Sequence, residues 1–152
     1  MTHLTGGERA RYVQAMFGRI APRYDLMNRL MTGGQDIAWR KEVIRRAGLP
    51  PRGRLLDLGT GTGDLAAEAL RQHPEAEVVA ADFTLEMMRV GKAKPDREDL
   101  AWTAADAQRL PFQQGVFDAV VSGFLMRNVG DLTAALREQY RVLRPGGRIV
   151  VL

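Results

Sequence analysis

Hydrophobic positions near the N-terminus of this chain recur with a helical period. From Glu8 to Met31, apolar side chains return every three or four positions, which predicts amphipathic helices. Pro22 interrupts the pattern. Because proline is tolerated in a first helical turn but not in a helix interior, we expect one helix over residues 8–20 and a second over 22–31.

The dipeptide Gly33-Gly34 predicts the end of the second helix, because glycine readily takes the left-handed backbone that ends helices. A third helix is predicted over Ile37–Ala47, with Asp36 as its N-cap. We interpret residues 1–50 as a helical leader or lid, and residues 51–152 as a ligand-binding core.

In the core, short apolar segments alternate with helical ones. This alternation predicts a Rossmann-like α/β fold, a doubly wound parallel sheet whose ligands bind at the carboxyl ends of the strands. The predicted strands are 54–58, 77–81, 101–104, 119–122 and 148–152, and the predicted helices are 64–72, 85–93 and 132–142. The last strand ends the chain, so we expect further sequence to follow it. An uncovered strand edge also favours self-association.

Composition narrows the class of protein. The chain has 152 residues and no cysteine, which excludes disulfide scaffolds and thiolate metal sites. No segment approaches the ~20 apolar residues of a membrane span, and the N-terminus lacks the apolar core of a signal peptide. We therefore expect a cytoplasmic protein, and no metal site is predicted.

Charge is distributed unevenly along the sequence. Residues 1–54 hold 11 Lys and Arg against 4 acidic residues, whereas the remainder holds 11 against 14. The excess of positive charge in the leader predicts peripheral contact with an anionic membrane surface, or else solvated arginines alone. Nucleic acid is the weaker alternative, because aromatic residues do not interleave with the basic ones.

The most informative segment is a glycine-rich loop that directly follows the first predicted strand. Three glycines occupy alternate positions and allow close backbone approach to a ligand: Gly59, Gly61 and Gly63. A dinucleotide loop would need a small residue where Asp64 stands. Acids at Asp57 and Asp64 instead suit a ligand with cationic groups, such as the amino and sulfonium groups of S-adenosylmethionine. A tight turn without a ligand is the alternative.

Later strand ends supply more polar residues. Asp82 follows Gly63 by nineteen positions, and we expect its carboxylate to accept both hydroxyls of a ribose. Asp106 and Ala107 can read an adenine edge, and Ser122 ends the fourth strand. The ordered set of strand ends resembles class I methyltransferases, whose other landmarks match residues 110–112, 117–118 and 143–147.

Two segments narrow the resemblance further. Residues 16–28, followed by Trp39-Arg40, resemble the opening signature of the menaquinone and ubiquinone C-methyltransferase family, and residues 124–129 resemble its second signature. The resemblance covers nearly the whole chain from about Tyr12. Departures lie at Leu125, where the family usually has glycine, and at Gly59, where relatives often have alanine or cysteine.

The resemblance implies S-adenosylmethionine-dependent C-methylation of the ring of demethylmenaquinol, a prenylated quinol, or of a benzoquinol in the ubiquinone pathway. It implies catalytic roles for Tyr24, Arg127 and Asn128, with Asp25 and Asn28 also on the substrate side. The implied cofactor-binding residues are Gly59, Gly61, Thr62, Gly63, Asp82, Phe83, Asp106, Ala107 and Ser122.

Two alternatives from other classes remain. A nicotinamide-dependent reductase of the short-chain type would need a lysine four positions after a tyrosine, and no tyrosine of this chain has one. A non-catalytic S-adenosylmethionine-binding module is the stronger competitor, because the cofactor half of the sequence looks complete whereas the half that binds the methyl acceptor does not.

Overall fold

A computed structural model describes residues 6–152, so the first five positions of the predicted leader lie outside the described residues. The leader comprises α1 (Gly6–Ile20), a 3₁₀ turn (Ala21–Arg23), α2 (Tyr24–Met31) and α3 (Gln35–Ala47). The remaining elements are β1 (Arg54–Leu58), α4 (Asp64–Gln72), β2 (Glu77–Asp82), α5 (Leu85–Lys92), β3 (Ala101–Ala104), β4 (Phe117–Ser122), α6 (Leu132–Val142) and β5 (Leu143–Val151).

The five strands form one parallel sheet in the order β3-β2-β1-β4-β5. Strand β1 lies at the centre, paired with β2 on one side and β4 on the other, so the strand order reverses there. The predicted Rossmann-like, doubly wound fold is confirmed. The carboxyl edge beside β1 is therefore the position where such sheets bind ligands.

Apolar side chains fill both faces of this sheet. Along β1, Leu55 packs into one core cluster, whereas Leu56 and Leu58 pack into the other. This alternation follows from the two-residue period of a strand, and it explains why β1 reads as a continuous apolar run. The first cluster includes residues of α3 and α4, and the second includes residues of α6.

Each helix of the leader begins at a different residue from the one predicted: α1 begins at Gly6 rather than Glu8, and α3 begins at Gln35 rather than Ile37. Pro22 lies in the 3₁₀ turn and α2 begins at Tyr24, so the second helix starts two residues later than expected. The prediction of Asp36 as an N-cap was wrong. Gly34, with a φ of 82°, is the N-cap, and Asp36 lies buried within the first turn, where its carboxylate accepts hydrogen bonds from Thr32 and Arg40.

Strand β5 also begins earlier than predicted. Residues 143–147, which precede the predicted strand of 148–152, belong to β5. Its pairing with β4 shifts register between Leu143, opposite Phe117, and Arg148, opposite Ala119, and Gly146 has a φ of 80°. Within residues 6–152, β5 has no strand on its outer side. In that same range no helix is both long enough and apolar enough to cross a membrane.

Candidate active site

A cavity of about 360 Å³ lies at the carboxyl edge of the sheet, enclosed on one side by α1 and α2. Its walls combine backbone and acids from the ends of β1 and β2 with apolar side chains of the leader, such as Phe17 and Met27. Many of the residues predicted from the sequence line it: Tyr24, Asn28, Gly59, Gly61, Asp82, Phe83, Asp106, Ala107, Arg127 and Asn128.

The glycine loop has the left-handed backbone that its sequence predicts. Gly59, Gly61 and Gly63 have φ angles of 72°, 58° and 82°. A Cβ atom on Gly63 would lie 2.6 Å from the indole ring of Trp102, so this glycine is required for space as well as for conformation. The indole thus packs directly against the turn that leads into α4.

Asp82 holds the glycine loop in place. One carboxylate oxygen accepts the Gly61 N–H at 2.7 Å, and the other accepts the Thr84 N–H at 2.7 Å. Burial raises the pKa of the Asp82 carboxyl, and these backbone N–H groups oppose the rise. Each carboxylate oxygen has a further lone pair, so Asp82 can still accept ligand hydroxyls.

Asp57 is a buried acid with one unpartnered oxygen. Its side chain is 1 % exposed; Oδ2 accepts the Thr60 hydroxyl at 2.6 Å, while Oδ1 has no hydrogen-bond partner within residues 6–152. Burial raises the pKa of Asp57 to about 7, against the effect of the Thr60 hydrogen bond. The carboxylate lines a second, smaller cavity of about 80 Å³.

The far end of the large cavity is built by the loop after β4. Phe124 has a φ of 56°, a conformation that is strained for a side chain of this size. The Arg127 guanidinium lies 4.9 Å from the centre of the Phe124 ring, and the Asn128 side-chain amide donates to the Phe124 carbonyl oxygen at 3.3 Å. Tyr24 faces this loop from α2 and packs edge-on against Phe17.

Leu125, one of the two departures from the family pattern, contacts the other. A Cβ atom on Gly59 would lie 2.9 Å from Leu125 Cδ1, so the Leu125 side chain fills the space that a side chain at position 59 would need. Leu125 also lines the large cavity and packs on the second core cluster. The bulkier residue therefore reduces cavity volume next to the glycine loop.

Four of the site residues implied by the family resemblance do not line the large cavity. Thr62 and Asp25 are hydrogen-bonded to each other at 2.7 Å and line the smaller cavity. Gly63 lies under Trp102. Ser122 is buried, and its hydroxyl oxygen has no hydrogen-bond partner among the described residues.

Sequence reasoning missed three cations that surround the glycine loop. Lys94 and Arg97 donate to Asp64 Oδ1 at 2.9 Å and 2.8 Å, and Arg40 lies 3.1 Å from Asp64 Oδ2. Burial acts to raise the pKa of Asp64, but these cations, Lys94 first, hold it below its ordinary value. Trp39-Arg40 was noted in the family signature, but no signal pointed to Lys94 or Arg97.

The site suits S-adenosylmethionine on its own chemistry. The unpartnered Asp57 oxygen can accept a cationic amino group, and Asp82 can accept ribose hydroxyls. The glycines leave the backbone free of side chains on the side of the ligand. A parallel sheet whose order reverses at β1, together with this acid-lined glycine loop, defines a class I methyltransferase fold and site.

Comparison with known proteins gives the family. The ubiE/COQ5 methyltransferase family model matches residues 5–152, and the chain belongs to this family. It is 49% identical over 140 residues to the ubiquinone/menaquinone biosynthesis C-methyltransferase UbiE of Desulfotalea psychrophila, covering 92% of this chain and 57% of the relative. It is 49% identical over 139 residues to the demethylmenaquinone methyltransferase of Thermus thermophilus, covering 90% of this chain and 63% of that relative.

The chain is also similar to a solved methyltransferase structure. The phosphoethanolamine N-methyltransferase 2 of Haemonchus contortus, solved with S-adenosyl-L-methionine, matches with a TM-score of 0.66 at 27% identity, over 75% of this chain and 27% of that one. The present chain spans about three fifths of the length of the two curated relatives described above.

Proposed function

We propose that this chain carries the cofactor-binding part of an S-adenosylmethionine-dependent C-methyltransferase that methylates the quinol ring of demethylmenaquinol. One observation carries the proposal. A single cavity runs from the acid-lined glycine loop to an apolar end that holds Tyr24, Arg127 and Asn128. A cofactor at one end therefore faces a space suited to an apolar ring at the other.

Residues at the strand ends are proposed to bind the cofactor. Asp57 accepts its amino group from the smaller cavity, which shares Gly59 and Gly61 with the large one. Asp82 accepts the ribose hydroxyls, and the loop of Asp106 and Ala107 borders the adenine. Phe83, about half exposed on the wall of the cavity, packs against a ring of the cofactor. Thr62, Gly63 and Ser122 act indirectly, by fixing the loop and the strand end below it.

The acceptor side is proposed to position the quinol and to stabilise its charge. S-adenosylmethionine supplies an electrophilic methyl group, and the protein must align a ring carbon with it and exclude water. Arg127 stabilises the quinol oxygen when it loses its proton, while Asp82, or an acid reached through water, accepts that proton. Tyr24 and Asn28, which share one face of α2, border the ring together with Asn128.

Two other functions remain to be separated from this one. Methylation of a benzoquinol in the ubiquinone pathway would use the same site. A non-catalytic S-adenosylmethionine-binding module would use the glycine-loop end of the cavity without transferring a methyl group. Division into a lid of residues 1–50 and a core of residues 51–152 is part of the proposal.

The test combines ligand binding with turnover. Calorimetric titration should show binding of S-adenosylmethionine but not of NADH, and Asp82→Ala should weaken that binding at least about tenfold because loop support and ribose contacts are both lost. Methyl transfer from labelled cofactor to a short-chain demethylmenaquinol, and to the matching benzoquinol, then separates the substrates. Binding without transfer to either quinol would support the non-catalytic module and refute the proposed activity of this chain.

We also propose that the leader contacts an anionic membrane surface, where prenylated quinols dissolve. Helix α2 buries none of its residues, and Leu30 and Met31 are 73% and 81% exposed. Arg29 lies on this helix, Arg23 directly precedes it, and Arg19 lies near the end of α1. Exposed apolar residues beside cations are typical of interfacial helices.

Vesicle sedimentation tests the membrane contact. Replacing Arg9, Arg11, Arg19 and Arg23 with glutamine should weaken binding to vesicles that contain phosphatidylglycerol, because each basic residue near such a surface contributes about 1 kcal/mol. Arg137→Gln, a change on the exposed face of α6, is the matched control. Binding that is equal for both variants would refute the contact.

Self-association through β5 is a separate proposal, tested by ultracentrifugation.

A further inference from the structure

Lys94 joins three parts of the molecule at one point. Its ammonium group donates to Asp25 on α2, to the Thr62 hydroxyl in the glycine loop at 3.0 Å, and to Asp64 at the start of α4 at 2.9 Å. Thr62 in turn donates to the other Asp25 oxygen at 2.7 Å. Both oxygens of the Asp25 carboxylate are therefore held from the core of the protein.

This link matters because little else holds α2. The helix has no buried residue, so apolar packing contributes little to its position. The glycine loop is different, because its backbone is fixed independently of Lys94. Gly59 and Thr60 N–H groups donate to the Ala81 carbonyl oxygen at 2.8 Å and 3.0 Å, and Gly61 N–H donates to Asp82.

The residues next to Asp25 are those that border the acceptor. Tyr24 immediately precedes Asp25, Asn28 follows it by three positions, and both line the cavity. A change in the position of Asp25 therefore moves both. The remaining charges near Lys94 are already engaged. Arg97 and Arg40 both pair with Asp64, so neither cation is available to replace Lys94 as a partner for the Asp25 carboxylate.

We propose that Lys94 is a positioning residue that fixes α2, and with it Tyr24 and Asn28, over the glycine loop. The expected effect of Lys94 on turnover rests on the proposed methyl transfer. The expected effect of Lys94 on the order of α2 does not depend on the acceptor. Binding of cofactor at the loop and the order of α2 are then coupled, since Thr62 and Asp25 are held by the same ammonium group.

The experiment measures amide hydrogen exchange of α2 and of β1 with and without S-adenosylmethionine. Lys94→Met keeps the aliphatic stem and removes the charge. We expect exchange in α2 to rise about tenfold, with β1 unchanged, because only the polar link is lost. The additional protection of α2 on cofactor binding should disappear, while cofactor affinity changes less than about threefold because the loop backbone is held separately. Turnover with a short-chain quinol should fall mainly in kcat.

Controls distinguish positioning from general loss of stability. Lys92→Met removes an exposed lysine of α5 and should leave α2 unchanged. Lys94→Arg should restore part of the protection. Asp25→Asn breaks the same link from the other side, so it should raise exchange in α2 as Lys94→Met does. The double variant should show no further rise. If Lys94→Met does not fold, Asp25→Asn alone tests the proposal. Equal exchange in the two methionine variants, or a parallel rise in β1, would overturn the proposal. Absence of methyl transfer with these exchange results intact would refute only the proposed function.

Discussion

The central strands and the first two helices build opposite walls of the same cavity by different means. Strands β1 and β4 consist largely of fully buried side chains, such as Leu56 and Val120. By contrast, α2 has no buried residue and is tied to the core by hydrogen bonds from Lys94 and Thr62 to Asp25. The wall built by the strands is thus fixed by packing, whereas the wall built by α2 is fixed mainly by polar contacts.

This difference has a mechanical consequence. Buried apolar contacts are lost only when the fold opens, so the strand ends keep their geometry whether or not a ligand is bound. Polar links near the surface break at lower cost, so α2 is suited to moving when a large ligand enters the cavity. The stability of the two walls should therefore respond differently to the removal of side chains, to pH and to the insertion of larger side chains.

The largest contrast is expected between two leucines. Leu56→Ala removes a fully buried side chain from β1 and should lower the free energy of unfolding by about 4 kcal/mol, since a cavity is left between close-packed strands. Leu30→Ala on α2 should change it by no more than about 0.5 kcal/mol. Urea denaturation of both variants measures this difference. Similar losses would show that α2 is part of the packed core.

The next prediction concerns Asp57, whose ionisation should make the free energy of unfolding depend on pH. Its pKa is 3.8 in ordinary surroundings and about 7 here, so between these values the folded protein holds a proton that the unfolded chain has lost. Stability should fall as pH rises through this window and level off above it, by about 4 kcal/mol in total.

The control for Asp57 is its neutral isostere. Asp57→Asn keeps an oxygen that accepts from Thr60, and it should remove this part of the pH dependence. Urea midpoints of the two proteins, measured from pH 4 to pH 8, isolate the contribution of this carboxyl. Parallel curves would contradict the raised pKa.

Two glycines provide a smaller and closely matched comparison. Gly63→Ala and Gly33→Ala both place a side chain on a left-handed residue, but only the first meets the indole of Trp102, whereas a Cβ on Gly33 meets nothing within 4 Å. Gly63→Ala should therefore cost about 2 kcal/mol more than Gly33→Ala. Thermal unfolding of both variants tests this, and equal costs would mean that Trp102 yields easily.

The sequence predicted the buried part of the molecule better than the polar part. Apolar periodicity predicted α4, α6, β1 and β3 with the bounds observed, because side-chain burial determines both the pattern and the fold. The start of β5 was missed because the strand runs through a Pro-Gly-Gly segment at a register shift between Leu143 and Arg148, which turn propensity does not predict.

The site shows the same limit. Glycines and acids at strand ends were found because their spacing follows from parallel-sheet topology. Lys94 and Arg97 were missed, because nothing local distinguishes a lysine that reaches Asp25 across 69 positions from one that is solvated. Asp36 was misassigned because acids serve equally well as caps and within the first turn.

The contact between Trp102 and the glycine loop makes the intrinsic fluorescence of the protein sensitive to that loop. The chain has two tryptophans, and the indole of Trp102 lies against Gly63 and Gly91, next to the entry of α4. Trp39, the second fluorophore, lies on α3 and is partly open to solvent. With Trp39 replaced by phenylalanine, the emission of the remaining indole reports the state of the loop without any attached label. Titrations and stopped-flow experiments can thus follow the cofactor side alone while the helices above it are varied.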